Sequence, residues 1–141
     1  MSADDLYAAF EQLFAAQRRL RGRDARVVDG ISLAQSRLLR VLARDGALPA
    51  GRLAARLGIS AASGTQLIDG LESRGLLERT RSDNDRRSVT IELTAAGEER
   101  AVQAREQHRR LFESALADLS PDELEAGVDV LRRCATYLDS L

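Results

Sequence analysis

Arg86 and Arg87 stand in a short polar segment, Ser82 to Arg87, between two runs with strand-like composition, Leu76 to Arg81 and Ser88 to Leu93. Guanidinium groups at the tip of a hairpin suit phosphate oxygens and the narrow minor groove of duplex DNA, where negative potential is enhanced. Asp85 is close enough in sequence to orient the Arg87 guanidinium. Upstream, Ser60, Ser63, Thr65 and Gln66 place donors and acceptors along the start of a helix, and Gln is matched to the edge of adenine. Arg74 and Arg79 follow that helix, as phosphate contacts or as members of surface ion pairs. Arg52 and Arg56 precede it, as backbone-positioning contacts or as plain surface residues. The rest of the inventory excludes most enzymology. There is one His, one Cys, no Gly-rich phosphate loop and no metal-ligand spacing, so neither an enzyme, a metal nor a cofactor is expected.

The elements that must position these residues are legible from periodicity. Leu6, Phe10, Leu13, Phe14 and Leu20 recur at helical spacing and predict a first helix from Asp4 to about Arg26. Ser32 caps a second helix that ends near Asp45-Gly46, and Ala47-Leu48 forms a very short strand. Pro49 opens a third helix, which Gly58 terminates, and Ser60 caps a fourth that runs to about Arg74. Ala54, Gly58 and Ile59 carry the turn between the third and fourth: a small residue for close approach, a glycine for the turn, and an apolar plug. The fourth helix is then a recognition helix, and the strand pair after it is a wing.

Two long helices close the chain. Thr94 opens one that reaches about Leu116, with Gly97, Ala101, Ala104, His108, Leu111 and Ala115 alternating steps of four and three. Ser120-Pro121-Asp122-Glu123 combines an N-cap, an early Pro and a capping-box Glu, and the helix it starts carries Leu124, Val128, Leu131, Ala135 and Leu138 in the same rhythm. Both stripes read as coiled-coil-like seams that need a partner. His108 is expected as a hydrogen-bonded core or interface residue, and Cys134 as a small buried hydrophobe.

Composition fits a single helical domain. Ala and Leu are abundant and aromatic residues scarce, and no run approaches the length of a membrane span, so a cytoplasmic location and no membrane contact are expected. The net charge of −1 hides a division: residues 32 to 94 carry +3, residues 1 to 31 balance, and residues 95 to 141 carry −4. The basic excess falls on the third that would bind DNA. All 21 basic residues are Arg.

The segments LAARLGIS (Leu53 to Ser60), LIDGLESRGLLER (Leu67 to Arg79) and DRRSVTIELTAAG (Asp85 to Gly97), at this spacing and between helical flanks, resemble the multiple-antibiotic-resistance-regulator (MarR) family of transcription factors. The resemblance implies a mainly α fold with a small β-hairpin wing: a winged helix-turn-helix over 32–94, flanked by dimerisation helices over 1–31 and 95–141. It implies a homodimer that presents two winged helices to a pseudo-palindromic operator in double-stranded DNA. It further implies a small aromatic or anionic ligand held between the dimer helices and the DNA-binding lobe, which lowers DNA affinity and so relieves repression. By position, Asp85 and Arg87 match the family's wing pair, in which the acid braces the arginine that enters the minor groove. Tyr7, Phe10 and Phe14 would line the ligand crevice or pack the dimer. The family's peroxide sensors carry their reactive cysteine in the first helix, where this chain has none.

This chain departs from the family at the recognition helix. Ser60 through Gln66 are neutral where a basic residue is often found, and Asp69 is acidic. Gly64 occupies the place of an apolar plug, at up to ~1 kcal/mol of helix preference relative to Ala. A winged-helix dimer acting as a protein-interaction adaptor, with weak or non-specific DNA binding, is the alternative that a neutral helix permits.

Overall fold

The computed structural model describes residues 1–23, 26–81 and 89–141. In chain order these form α1 (Ala3–Arg21), β1 (Val27–Val28), β2 (Ile31–Ser32), α2 (Leu33–Asp45), β3 (Leu48–Pro49), α3 (Ala50–Leu57), α4 (Ala61–Ser73), β4 (Leu77–Arg81), β5 (Val89–Leu93), α5 (Ala95–Ala115) and α6 (Pro121–Asp139). They divide into two compact units, Met1–Arg105 and Glu106–Leu141, with the boundary inside α5.

Serine starts most of the helices. Ser2, Ser32 and Ser120 each accept a hydrogen bond from the amide three residues on, and the serine amides in turn donate to the side-chain oxygens of Asp5, Gln35 and Glu123. These reciprocal pairs satisfy amides that a helix leaves without partners in its first turn. Ser60 caps α4 alone, accepting from the Ser63 amide.

In the first unit, α2, α3 and α4 turn one apolar stripe each toward a common core. Leu38, Leu39, Leu53, Ile68 and Leu71 are fully buried there, with Leu77 of β4 and Ile91 of β5 closing it from the sheet. The three-stranded antiparallel sheet runs β3-β5-β4, with Leu48 opposite Ile91 and Leu77 opposite Leu93. Between α3 and α4 the backbone turns left-handed at Gly58, and the Ile59 amide donates back to the Ala54 carbonyl at 3.1 Å. Gly64 explains itself here. A Cβ on it would sit 3.1 Å from the Ala54 Cβ, tighter than ordinary van der Waals contact, so a side chain here would press the two helices apart by a few tenths of an ångström. Ile59 packs partly buried against the same core and serves as the apolar plug.

The fifth helix is anchored through Thr94. Its hydroxyl donates to the Gly75 carbonyl at 2.6 Å and accepts from the Gly97 amide at 3.1 Å, while its own amide donates to the Leu76 carbonyl. A Cβ on Gly97 would overlap the Leu76 carbonyl oxygen. Gly97, Ala101 and Ala104 are buried, so the first half of the expected stripe is core.

One boundary differs from the sequence reading. The first helix stops at Arg21 and not near Arg26, because Gly22 caps it and residues 27–32 form a tight hairpin, β1 with β2. Asp29 and Gly30 have φ of 53° and 83°, the paired left-handed conformation of a two-residue hairpin turn.

In the second unit, Glu106–Leu141, no residue of α6 is buried, and Leu124, Val128, Leu131 and Leu138 are exposed. His108 is also exposed, and Cys134 is half-buried. Among the described residues, no helix is long and apolar enough to cross a membrane.

Candidate nucleic-acid interface

The recognition helix α4 is amphipathic in the expected sense. Gly64, Ile68 and Leu71 face the core, while Ala62, Thr65, Gln66, Asp69 and Ser73 are exposed, at spacings that place them on one outer face. At its start the Ser60 hydroxyl donates to the Ser63 hydroxyl at 3.0 Å and accepts from the Ser63 amide at 3.1 Å. This leaves the Ser63 proton available to an outside acceptor. Thr65 donates its proton to the Ala61 carbonyl at 3.0 Å, so toward a ligand it offers an acceptor. Gln66, one residue on, is exposed.

Four of the sequence-predicted residues therefore gather at the start of α4, Ser60 as its N-cap and Ser63, Thr65 and Gln66 in its first two turns, where a recognition helix meets base edges. Arg74 lies apart from them. It is the C-cap of α4, and its Nη1 donates to the Gly30 carbonyl in the β1–β2 turn. Arg100 of α5 donates to the carbonyl of the preceding residue, Asp29, at 2.6 Å. Arg74 thus joins the end of the recognition helix to the loop before α2, and this role was not apparent from sequence. The signal available was the Asp-Gly pair between apolar residues, a hairpin signature.

The wing is present as its ladder. β4 and β5 pair from Leu77–Leu93 to Arg81–Val89. Asp85, Arg86 and Arg87 fall in the segment after Arg81, outside the described residues.

Two flanking arginines make ion pairs. Arg79 of β4 donates to Asp69 at 2.5 Å and to Glu72, both on α4, and these carboxylates raise its pKa, with the Asp69 hydrogen bond the largest cause. Arg56 of α3 pairs with Asp45 at 2.6 Å, where Arg44 also pairs and holds that carboxyl below its ordinary range. Arg52 is exposed. On α2, burial lowers the pKa of Arg40, and its Nε is buried without a hydrogen-bond partner.

A helix-turn-helix whose second helix runs directly into an antiparallel strand pair defines a winged helix-turn-helix protein. A family model described as "MarR family" matches residues 29–88. The chain is 31% identical over 116 residues to the HTH-type transcriptional repressor YetL of Bacillus subtilis, spanning 78% of this chain and 70% of that one. Among solved structures, a MarR family protein from Bacillus stearothermophilus superposes with a TM-score of 0.79 at 25% identity, over 99% of each chain. BpsR of Bordetella bronchiseptica, a protein whose DNA binding is regulated by 6-hydroxynicotinic acid, matches at 25% identity with a TM-score of 0.66, over 88% of this chain and 98% of that one. The chain belongs to the MarR family of transcriptional regulators.

Proposed function

We propose that this regulator is a homodimer that binds a pseudo-palindromic DNA operator as a repressor and releases it when a small aromatic or anionic ligand binds. The observation that carries the DNA reading is the outer face of α4, polar from Thr65 to Ser73 and set beside the strand pair that leads into Arg86 and Arg87. In this reading Ser60, Ser63, Thr65 and Gln66 meet the major groove, and Arg87, braced by Asp85 and flanked by Arg86, meets the minor groove. Residues 32–94 are the DNA-binding lobe, and 1–31 with 95–141 the dimer helices. No catalytic role is assigned, and the site of action is the cytoplasm.

Homodimerisation is supported by apolar side chains with too much exposure for an isolated chain. Leu13 is 54% exposed, Leu111 66% and Leu131 53%. Ligand control is supported by the likeness to BpsR. Such a ligand must favour the arrangement that cannot bind DNA, because equal affinity for both arrangements shifts nothing. Thermal-shift screening followed by DNA binding with each hit tests this; stabilising hits that never change DNA affinity count against it.

The decisive experiment measures binding of the full chain to duplex DNA from its own upstream region over a range of salt. A DNA interface gives log affinity falling steeply with log salt, by ~0.9 for each phosphate neutralised. Replacing Arg87 with Ala should weaken binding and shrink that slope by up to ~1 per wing. A flat salt response in the parent chain would favour the adaptor reading, which the neutral start of α4 permits.

A further inference from the structure

Duplex DNA would repel the charge carried on the outer face of α4. Asp69 is 61% exposed, three residues beyond Gln66 on the same face, and Glu72 is 39% exposed at its edge. Glu72 also lies in the last turn, where the helix dipole disfavours an anion. If recognition helices work by bringing this face against a polyanion, two bare carboxylates are poor residues to find there.

Neither carboxylate is bare. Arg79 reaches across from β4 and divides its guanidinium between them, one terminal nitrogen to Asp69 Oδ1 at 2.5 Å and the other to Glu72 Oε1. A guanidinium can do this because its donors are fixed in a planar fork, and an ammonium would not hold both acids with the same geometry. Exposed ion pairs contribute little to stability, so fold maintenance alone is a weak account of three charges gathered at this spot.

We propose that Arg79 is a positioning residue for DNA binding, which acts through Asp69 and Glu72 by cancelling carboxylate charge on the groove-facing side of α4 and does not touch DNA itself. The inference rests on the DNA-binding reading above. It also reinterprets the acidic Asp69, which as a bare sequence feature argues against a strong recognition helix. The acid is held by its own wing strand.

The test uses the full chain and, as probe, a duplex that the parent chain enriches from a random-sequence pool. Arg79→Gln should weaken binding about tenfold or more, since like charges juxtaposed across an interface are costly. The triple variant Arg79→Gln/Asp69→Asn/Glu72→Gln should return to within about threefold of the parent, because the charge that needed cancelling is gone. Asp69→Asn/Glu72→Gln alone should bind at least as tightly as the parent, with a salt slope steeper by up to ~1 per protomer as Arg79 is freed. A triple variant as weak as Arg79→Gln overturns the proposal and makes Arg79 a phosphate contact or a structural strut. Should Arg79→Gln fail to fold in a thermal melt, the double variant decides, and weaker binding than the parent overturns the proposal. A parent chain that enriches no duplex refutes the DNA-binding reading itself, a result distinct from a parent that binds while its triple variant stays weak.

Discussion

Gln66 and Thr65 are neighbours with different chemical freedom. The Thr65 proton is committed to the Ala61 carbonyl, whereas Gln66 stands exposed on the outer face with an amide that can both donate and accept. Bidentate reading of adenine by Gln66 therefore predicts a loss of about 1 to 3 kcal/mol at one operator position for Gln66→Ala. A scan of operator variants against this mutant checks it; a loss spread evenly over all sequences would make Gln66 a phosphate contact. Arg74 should behave differently. With its guanidinium spent on the Gly30 carbonyl, Arg74→Ala should leave the salt slope of DNA binding unchanged even where affinity falls. A slope reduced by ~1 would return Arg74 to the phosphate contacts expected from sequence.

At the level of elements, α5 depends on a side chain it lacks. Gly97→Ala would drive a Cβ into the Leu76 carbonyl, which is backbone and cannot rotate away. We expect a loss of about 3 kcal/mol or more in chemical denaturation, at the upper end of overpacking costs. Ser32→Ala removes one half of the α2 capping box and should cost about 1 kcal/mol in the same assay. The helices were legible because their caps and stripes are local: Ser32, Ser60 and Ser120 each announce a helix, and Leu53, Ala54 and Leu57 place α3 against the core. The β1–β2 hairpin was not, because two-residue strands are too short to show alternation, and Asp29-Gly30 reads equally well as a simple helix stop. Gly64 looked like a departure for a related reason. Its purpose is set by Ala54, ten residues away, and a contact between helices leaves no mark on the periodicity of either. The partners of Arg74 and Arg79 belong to the same class, since spacing alone did not choose between an ion pair, a carbonyl and a phosphate.

On the scale of the molecule, charge and apolar surface separate along the chain. The basic excess lies in residues 32 to 94 and the acidic excess after 94, where α6 keeps its apolar stripe exposed. A dimer that buries this stripe should be broken by Val128→Glu/Leu131→Glu; sedimentation should then show a monomer, and an unaltered dimer would place the seam elsewhere. The Asp29-Gly30 turn has an energetic consequence of its own. Arg74 holds one of its carbonyls from the end of α4, and Arg100 holds the neighbouring one from α5. Two residues that act on one small backbone segment do not contribute independently, because losing either loosens the segment on which the other depends. A double-mutant cycle of Arg74→Ala and Arg100→Ala should therefore show non-additivity of about 0.5 kcal/mol or more. Helices 4 and 5 would then share part of their stability through a hairpin that belongs to neither.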